Sequence, residues 1–327
     1  MINFDYIRTS TAKAAVDAKN KNTSSQFIAG GTNLVDLMKR GVTAPEKIID
    51  INGLPLKQIT ADAKGVTIGA LALNSEVAEH PIIKAKYPLL AQAINAGASA
   101  QLRNMATVGG NMMQRTRCSY FYDVTMPCNK REPGSGCAAL QGQNRMHAIF
   151  GTSEKCIAVH PSDMCVALAA LDATVHITGP KGDRKMLFTD FHRLPGDTPE
   201  LDNNLQKAEL ITGIHIPANT FNKYHYLKIR DRSSYAFALV SVAVAIEIYG
   251  KGQIGRARIA MGGVAHKPWR FPAIEDLLEM GPPRKEWFTS SAMGAMYGAK
   301  GFGQNNFKIK MGEAAIAEAL WQATQKS

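Results

Sequence analysis

Four of the five cysteines of this chain lie within one segment, and this clustering constrains the fold more than any other feature of the sequence. The segment runs from Ala106 to Asp163 and contains many prolines and glycines, which break helices. A stretch this long without periodicity loses much conformational entropy when it orders, so we expect a ligand or a cross-link to hold it. The four residues are Cys118, Cys128, Cys137 and Cys156.

The spacing of these cysteines leaves several chemistries open. The pattern C-x9-C-x8-C-x18-C lacks the closely spaced C-x-x-C pairs of common zinc and ferredoxin sites. Disulfide frameworks are typical of small secreted proteins, and unrelated free thiols are frequent in protein cores. Clustering in a helix-poor segment favours a four-cysteine metal site, with zinc and iron–sulfur both possible on spacing alone. The fifth cysteine, Cys165, falls on the apolar face of a predicted helix and is interpreted as a core residue.

Two glycine turns form a second feature with chemical meaning. In the first, a short strand ends in Gly30-Gly31-Thr32-Asn33, and a helix begins at Leu34. The second turn is Thr107-Val108-Gly109-Gly110-Asn111. Backbone amides and a helix N-terminus meet in such turns, and two of them suit the two phosphates of a pyrophosphate. An ordinary strand–helix connection is the alternative for the first turn taken alone.

Charge and hydropathy exclude two broad classes. The net charge of +11 is spread along the chain without a basic run, which argues against nucleic-acid binding and favours an anionic cofactor or an acidic partner surface. The longest apolar run, Ala236 to Ile246, is too short to span a membrane. The first residues show no export signal, so we expect any export to occur with a partner subunit that carries one.

Local patterns predict an α+β architecture. Residues 1–55 are expected to form a small β-α-β lobe, and residues from about 222 onward a sheet covered by helices. The length of 327 residues fits two domains.

These motifs together resemble the flavin-binding subunit of the molybdenum hydroxylases, the xanthine dehydrogenase and aldehyde oxidoreductase family. The resemblance rests on Phe27–Leu34 and Ala106–Asn111, with support from His160-Pro161-Ser162-Asp163 and from Lys228. It covers essentially the whole chain. The cysteine-bearing insertion looks most like that of the middle subunit of bacterial periplasmic aldehyde oxidoreductases, where it carries a 4Fe–4S cluster.

The resemblance implies a specific fold. It implies a two-part FAD-binding domain of the PCMH (vanillyl-alcohol-oxidase-like) type over residues 1–220, with the cysteine insertion at about 112–158. A smaller α+β C-terminal domain over residues 221–327 would follow.

The resemblance also implies the cofactors and their ligands. Cys118, Cys128, Cys137 and Cys156 would hold the 4Fe–4S cluster, Asp163 would approach the ribose or adenosine part of FAD, and Ile211 and Lys228 would lie nearer the flavin ring. The turn residues expected at FAD are Phe27, Ile28, Ala29, Gly30, Gly31, Thr32, Asn33, Leu34, Thr107, Val108, Gly109, Gly110 and Asn111.

The implied function is electron transfer within a heterotrimer. A large molybdenum-cofactor subunit would oxidise an aldehyde, a small 2Fe–2S subunit would pass the electrons on, and FAD in this chain would deliver them to an external acceptor. The location would then be periplasmic, through export with a partner, and otherwise cytoplasmic. We expect partner contacts at Tyr120-Phe121-Tyr122 and near Trp269, and buried packing under the cluster is the alternative for the first group. A self-sufficient flavoprotein oxidase and a zinc-stabilised binding module without flavin are the alternatives.

Overall fold

The N-terminal lobe is a three-stranded parallel sheet with two helices. The computed structural model describes residues 1–250, 252–279 and 281–325. The elements of this lobe are β1 (Asp5–Arg8), α1 (Ala12–Lys21), β2 (Ser25–Ile28), α2 (Leu34–Lys39) and β3 (Lys47–Asp50). The strand order is β1-β3-β2. Thr11 caps α1 by accepting a hydrogen bond from the amide of Ala14 at 3.2 Å, which satisfies one of the free amides at the start of the helix.

The second lobe combines an antiparallel sheet of order β4-β5-β8-β6-β7 with short helices. Its elements are β4 (Ile59–Asp62), β5 (Gly65–Gly69), α3 (Asn74–Glu79), α4 (Pro81–Lys86), α5 (Pro88–Ala96), α6 (Ala100–Arg103), α7 (Val108–Met112), α8 (Ser119–Tyr122), α9 (Asp163–Ala170), β6 (Thr174–Gly179), β7 (Gly182–Leu187), α10 (Phe188–Phe191) and β8 (Leu210–Pro217). Every residue of α9 is buried, so this apolar helix lies at the centre of the molecule.

The C-terminal domain places helices on one face of a four-stranded antiparallel sheet of order β12-β11-β10-β9. Its elements are β9 (Lys223–Ile229), β10 (Val240–Ile248), β11 (Ile254–Gly262), β12 (Trp269–Arg270), α11 (Pro272–Leu278), α12 (Lys285–Ala295) and α13 (Phe307–Gln325). Along β10 the valines and Ile246 share a core with α12 and α13, whereas Ala243 and Ala245 join the core around α9. Because side chains alternate between the two faces of a strand, β10 has large side chains on one face and small side chains on the other, where α9 packs.

The cysteine insertion has little regular structure, as predicted, and the C-terminal domain holds it in place. The amide of Ile149 donates to the carbonyl of Val264 at 2.9 Å, and the amide of Lys300 donates to the carbonyl of Ile149 at 2.8 Å. The side chain of Asn144 donates to the carbonyl of Phe302 at 2.8 Å. These bonds supply the partners that an irregular buried backbone requires.

The predicted α+β class is confirmed, with two differences in detail. The strand expected from Ala236 begins at Val240, and the helix Lys285–Ala295 was not predicted. That helix contains Thr, Ser and Gly, whose propensities are poor, and it is stabilised by packing on α13. In the described part of the chain, no helix has the length and apolar character needed to cross a bilayer.

Candidate functional site

The two glycine turns come together and line one cavity of about 410 Å³. A Cβ atom on Gly30 would lie 1.8 Å from the carbonyl oxygen of Met105, so only glycine permits this approach of the first turn to the second. Gly31 has a φ of +70°, a left-handed conformation that also favours glycine. The predicted residues that line this cavity are Phe27, Ile28, Ala29, Gly30, Gly31, Thr32, Asn33, Leu34, Thr107, Gly109, Gly110 and Ile211.

The two turns differ in the hydrogen-bond donors that they offer. Within the described residues, the amides of Gly31, Thr32 and Asn33 have no hydrogen-bond acceptor. The side-chain nitrogen of Asn33 is also buried without a partner. Unpaired donors at a cavity wall cost free energy unless a ligand accepts from them. The first turn therefore has the free donors that an anionic group such as a pyrophosphate requires.

Most amides of the second turn are engaged within the chain. Those of Val108 and Gly109 donate to the carbonyls of Ala72 and Ala70 at 3.0 and 2.8 Å, and that of Gly110 donates to Thr107 Oγ1 at 3.2 Å. Both turns were expected to offer free amides; the first offers three, whereas in the second, among the described residues, the Thr107 amide alone has no acceptor. The second turn contributes shape instead, because Gly109 and Gly110 leave the cavity wall without side chains.

Two predicted FAD residues in the second turn face away from this cavity. Val108 is fully buried in the core. The Asn111 Oδ1 atom accepts hydrogen bonds from Ser162 Oγ at 2.6 Å and from Gln114 Nε2 at 2.8 Å. Asn111 therefore joins the glycine turn to the residue that caps α9.

Asp163 and Lys228 form a buried ion pair, although the sequence placed them at different parts of FAD. The Lys228 Nζ atom lies 2.9 Å from Asp163 Oδ2, and these side chains are only 4% and 7% exposed. Tyr226 Oη donates to Asp163 Oδ1 at 2.7 Å. Asp163 lines a second cavity of about 390 Å³, whereas Ile211 lines the first. The structure therefore brings Lys228 to Asp163 and not to Ile211.

The four clustered cysteines converge on one small cavity of about 10 Å³. All of them are free thiols, so the disulfide alternative has no support here. The backbones of Cys128 and Cys137 pair as an isolated antiparallel bridge, which brings together two residues from opposite sides of a turn. Cys165 is fully buried elsewhere in the core, as predicted. The structure thus separates the four predicted ligands from the fifth cysteine.

The electrostatics of this cluster favour a bound cation. Burial raises the pKa of Cys118 to about 11, which disfavours its thiolate. A hydrogen bond from Cys156 lowers the pKa of Cys137 to about 6 and raises that of Cys156. Cys128 and Cys156 are buried and Cys118 and Cys137 are half-buried, and thiolates in such surroundings are costly without compensating positive charge. A metal centre would supply that charge, and its binding energy would also order the insertion.

Two buried histidines contact the sulfur atoms of this cluster. His147 Nε2 lies 3.1 Å from Cys118 Sγ, and His266 Nε2 lies 3.3 Å from Cys156 Sγ. Burial lowers the pKa of His147 to about 4 and the pKa of His266 well below its usual value. Neither histidine was singled out from the sequence, because neither belongs to a motif.

An ion network that is buried at Lys130 and half-buried at Arg115 and Asp202 joins the cysteine cavity to the cavity at the glycine turns. Lys130 lines the former, and its Nζ atom donates to Asp202 Oδ1 at 2.6 Å. Arg115 and Asp202 line the latter, and Arg115 Nε donates to Asp202 Oδ2 at 2.6 Å. Burial alone would raise the pKa of Asp202, but Lys130 and Arg115 lower it to about 2. The amide of Arg115 also donates to Asn33 Oδ1 at 2.9 Å, which ties the network to the first turn.

The aromatic residues expected at a partner surface are not exposed anchors. Phe121 is fully buried, and Tyr120 and Tyr122 are half-buried. Trp269 is half-buried and stacks on Phe150 with ring centroids 5.0 Å apart. These aromatic rings pack the insertion against the rest of the chain. Phe121 therefore fits the alternative of buried packing beside the cysteine site, and partner contacts through Tyr120, Tyr122 and Trp269 stay a prediction.

Comparison with known proteins shows the class of this chain. A family model described as the FAD binding domain in molybdopterin dehydrogenase matches residues 2–219, and one described as the CO dehydrogenase flavoprotein C-terminal domain matches residues 224–296. The class is that of FAD-binding oxidoreductase subunits. The chain belongs to the family of FAD-binding subunits of the molybdenum hydroxylases.

Individual relatives agree with this family over nearly the whole chain. The chain is 46% identical to the aldehyde oxidoreductase FAD-binding subunit PaoB of Escherichia coli (strain K12), over 98% of each protein. It is 30% identical to the glyceraldehyde dehydrogenase medium chain of Sulfolobus acidocaldarius, over 83% of this chain and 79% of the relative. A carbon monoxide dehydrogenase structure from Hydrogenophaga pseudoflava superposes with a TM-score of 0.78 at 25% identity, covering 99% of both chains.

Proposed function

We propose that this chain is the FAD- and 4Fe–4S-containing electron-transfer subunit of a molybdenum-containing aldehyde oxidoreductase. It receives electrons from a small 2Fe–2S subunit and delivers them through FAD to an external acceptor. The observation that carries this proposal is the convergence of four free thiols on one cavity, which the Lys130–Asp202–Arg115 ion network joins to the cavity at the glycine turns.

The first cavity fits FAD. The free amides of Gly31, Thr32 and Asn33 and the unpaired side-chain nitrogen of Asn33 hold the pyrophosphate, and Gly109 and Gly110 leave room for it. The chain also presents the buried Lys228–Asp163 pair beside the second cavity, and we assign both residues to the FAD site.

The donor set of the cysteine site and the spacing of its sulfurs favour an iron–sulfur cluster over a single zinc ion. Four thiolates are the usual donor set of a 4Fe–4S cluster. Tetrahedral zinc with Zn–S bonds of about 2.3 Å would bring its sulfurs to about 3.8 Å from one another. All four cysteines lie in the described part of the chain, and no three of their sulfurs lie within 4.8 Å of one another. This wider spacing supports Cys118, Cys128, Cys137 and Cys156 as cluster ligands.

The two cofactors would supply the redox chemistry, since FAD exchanges electrons singly or in pairs and a 4Fe–4S cluster exchanges them singly. The chain itself binds and orients them, and its insertion buries Cys128 and Cys156. Support for the partners and for an aldehyde substrate comes from the relatives, one of which is named as the FAD-binding subunit of an aldehyde oxidoreductase. Periplasmic location through export with a partner belongs to the same proposal.

Cofactor analysis of the purified chain tests this proposal. We expect the visible absorbance bands of flavin on top of a broad absorbance from the iron–sulfur cluster. We also expect about one FAD and about four iron atoms per chain, as the proposed cluster requires. Zinc in place of iron, with flavin present, would contradict the cluster assignment. A colourless protein containing only zinc would favour the binding-module alternative.

A further inference from the structure

In the contacts of His147 and His266 with the cysteine sulfurs, the donor of the hydrogen bond can be assigned from the chemistry of the two groups. A neutral imidazole carries its proton on one ring nitrogen and a lone pair on the other. A metal-bound thiolate has no proton and can only accept a hydrogen bond. The Nε2 atoms at 3.1 and 3.3 Å from the sulfurs must therefore carry the protons once the site is loaded.

The other ring nitrogen of each histidine agrees with this arrangement. Among the described residues, the Nδ1 atoms of His147 and His266 are buried and have no hydrogen-bond partner. With the proton on Nε2, each Nδ1 is an unpaired acceptor. The opposite tautomer would bury an unpaired N–H donor and would also set a bare nitrogen against a thiolate, which costs more.

Both rings are held in place by the C-terminal domain. The carbonyl of His147 accepts hydrogen bonds from Lys308 Nζ at 3.0 Å and from Asn305 Nδ2 at 3.2 Å. Lys308 is itself fully buried at the start of α13. His266 lies just after β11, on the segment whose Ala265 carbonyl accepts from the amide of His160 at 3.0 Å. The fold therefore places the buried side chains of His147 and His266 against the sulfurs of two different cysteines.

We propose that His147 and His266 are tuning residues that donate N–H···S hydrogen bonds to Cys118 and Cys156 and thereby raise the reduction potential of the cluster. This inference rests on the proposed 4Fe–4S site. Reduction adds one electron from the 2Fe–2S partner and leaves every bond and proton of the chain in place. The added negative charge resides partly on the sulfurs, so hydrogen bonds to them are stronger in the reduced state. A cluster that only ordered the insertion would need no such donors.

Variants that remove the donor but keep a ring test the proposal. In the cofactor-loaded protein with its copurifying subunits, the midpoint potential of the cluster is measured by redox titration monitored by electron paramagnetic resonance. We expect His147→Phe and His266→Phe each to lower the midpoint potential of the cluster by about 59 mV. For a one-electron couple, this shift makes the ratio of oxidised to reduced cluster about tenfold higher at the wild-type midpoint. Gln at either position keeps an N–H donor, so the Gln variants should lower the midpoint potential less than the Phe variants do. His176→Phe is the matched control, because His176 lies on β6 and lines neither the cavity at the glycine turns nor the cysteine cavity.

The outcomes separate this inference from the proposed function. Absence of iron from the wild-type protein would remove the cluster itself. Normal iron content with an unchanged midpoint in both Phe variants would overturn the tuning role alone. If the variants lose iron, the wild-type protein labelled with ¹⁵N-histidine gives the answer by pulsed electron paramagnetic resonance of the reduced cluster. Weak ¹⁵N coupling supports the hydrogen bonds, whereas its absence, or the strong coupling of a directly ligated nitrogen, contradicts them.

Discussion

Cys128→Ser is expected to yield a chain that binds FAD but has lost most of its cluster iron. The thiol of Cys128 is buried and lines the cysteine cavity. The carbonyl of Cys128 accepts from the amides of Arg131 and Glu132, and its amide donates to Ser135 Oγ at 3.0 Å, so the residue also organises the turn that leads to Cys137. A hydroxyl is a poor iron ligand, and metal binding at such a site is also folding energy. Iron per chain and protease protection of residues 113–158 are the measurements.

Cys165→Ala is the matched control for this variant. Cys165 is equally buried, but it lies in the core around α9 and does not line the cysteine cavity. We expect full iron content and a small loss of stability from packing, on the order of 1 kcal/mol. If Cys165→Ala lost the iron while Cys156→Ala kept it, the fourth ligand would be wrongly assigned.

Gly110→Leu is expected to weaken FAD binding by at least about tenfold, a cost of about 1.4 kcal/mol. Gly110 is exposed at the wall of the first cavity, and the nearest atom to an added Cβ is Thr107 Oγ1 at 3.0 Å. A leucine there projects into the cavity and leaves the fold intact. Gly30 is less suitable for this test, because a Cβ atom would meet the carbonyl of Met105 and disrupt folding. FAD content and affinity are measured by absorbance and by titration of the flavin-free chain.

Gly250→Leu is the control for side-chain bulk. Gly250 follows the C-terminal end of β10, whereas Ser241, which pairs with Lys228 of β9, lies near the start of β10. A Cβ atom added to Gly250 would contact nothing within 4 Å. It should bind FAD as the wild type does. Urea unfolding of both variants separates loss of binding from loss of folding. Wild-type FAD affinity in a folded Gly110→Leu protein would show that this turn does not face the cofactor.

Local patterns were enough to predict the parts of the site that depend on backbone geometry. Gly-Gly turns predict close approach of the backbone, and the structure places both turns at one cavity. Clustered cysteines in a segment without periodicity predict convergence, and the four sulfur-bearing residues line one cavity. The four cysteines belong to one segment, whereas the two turns are far apart in the chain and were expected to meet only because a pyrophosphate has two phosphates to hold.

Contacts between distant segments could not be predicted in this way. Lys130 and Asp202 are 72 residues apart, and His266 and Cys156 are 110 residues apart. The pairing of Lys228 with Asp163 depends on how β9 is placed against α9, which local pattern does not fix. Partner contact and buried packing were both open for Phe121, because an aromatic residue in an irregular segment packs inward as readily as outward, and the structure favours packing. Only the tertiary structure distinguishes these alternatives.

Anaerobic reduction of the flavin by an aromatic aldehyde, with and without the molybdenum and 2Fe–2S subunits, tests the electron-transfer role most directly. The account predicts that the flavin absorbance of the isolated, FAD-loaded chain stays unchanged on adding aldehyde, because substrate oxidation belongs to the molybdenum subunit. Addition of both partner subunits should bleach it. Bleaching of the isolated chain by aldehyde alone would contradict the account and establish a self-sufficient flavoenzyme.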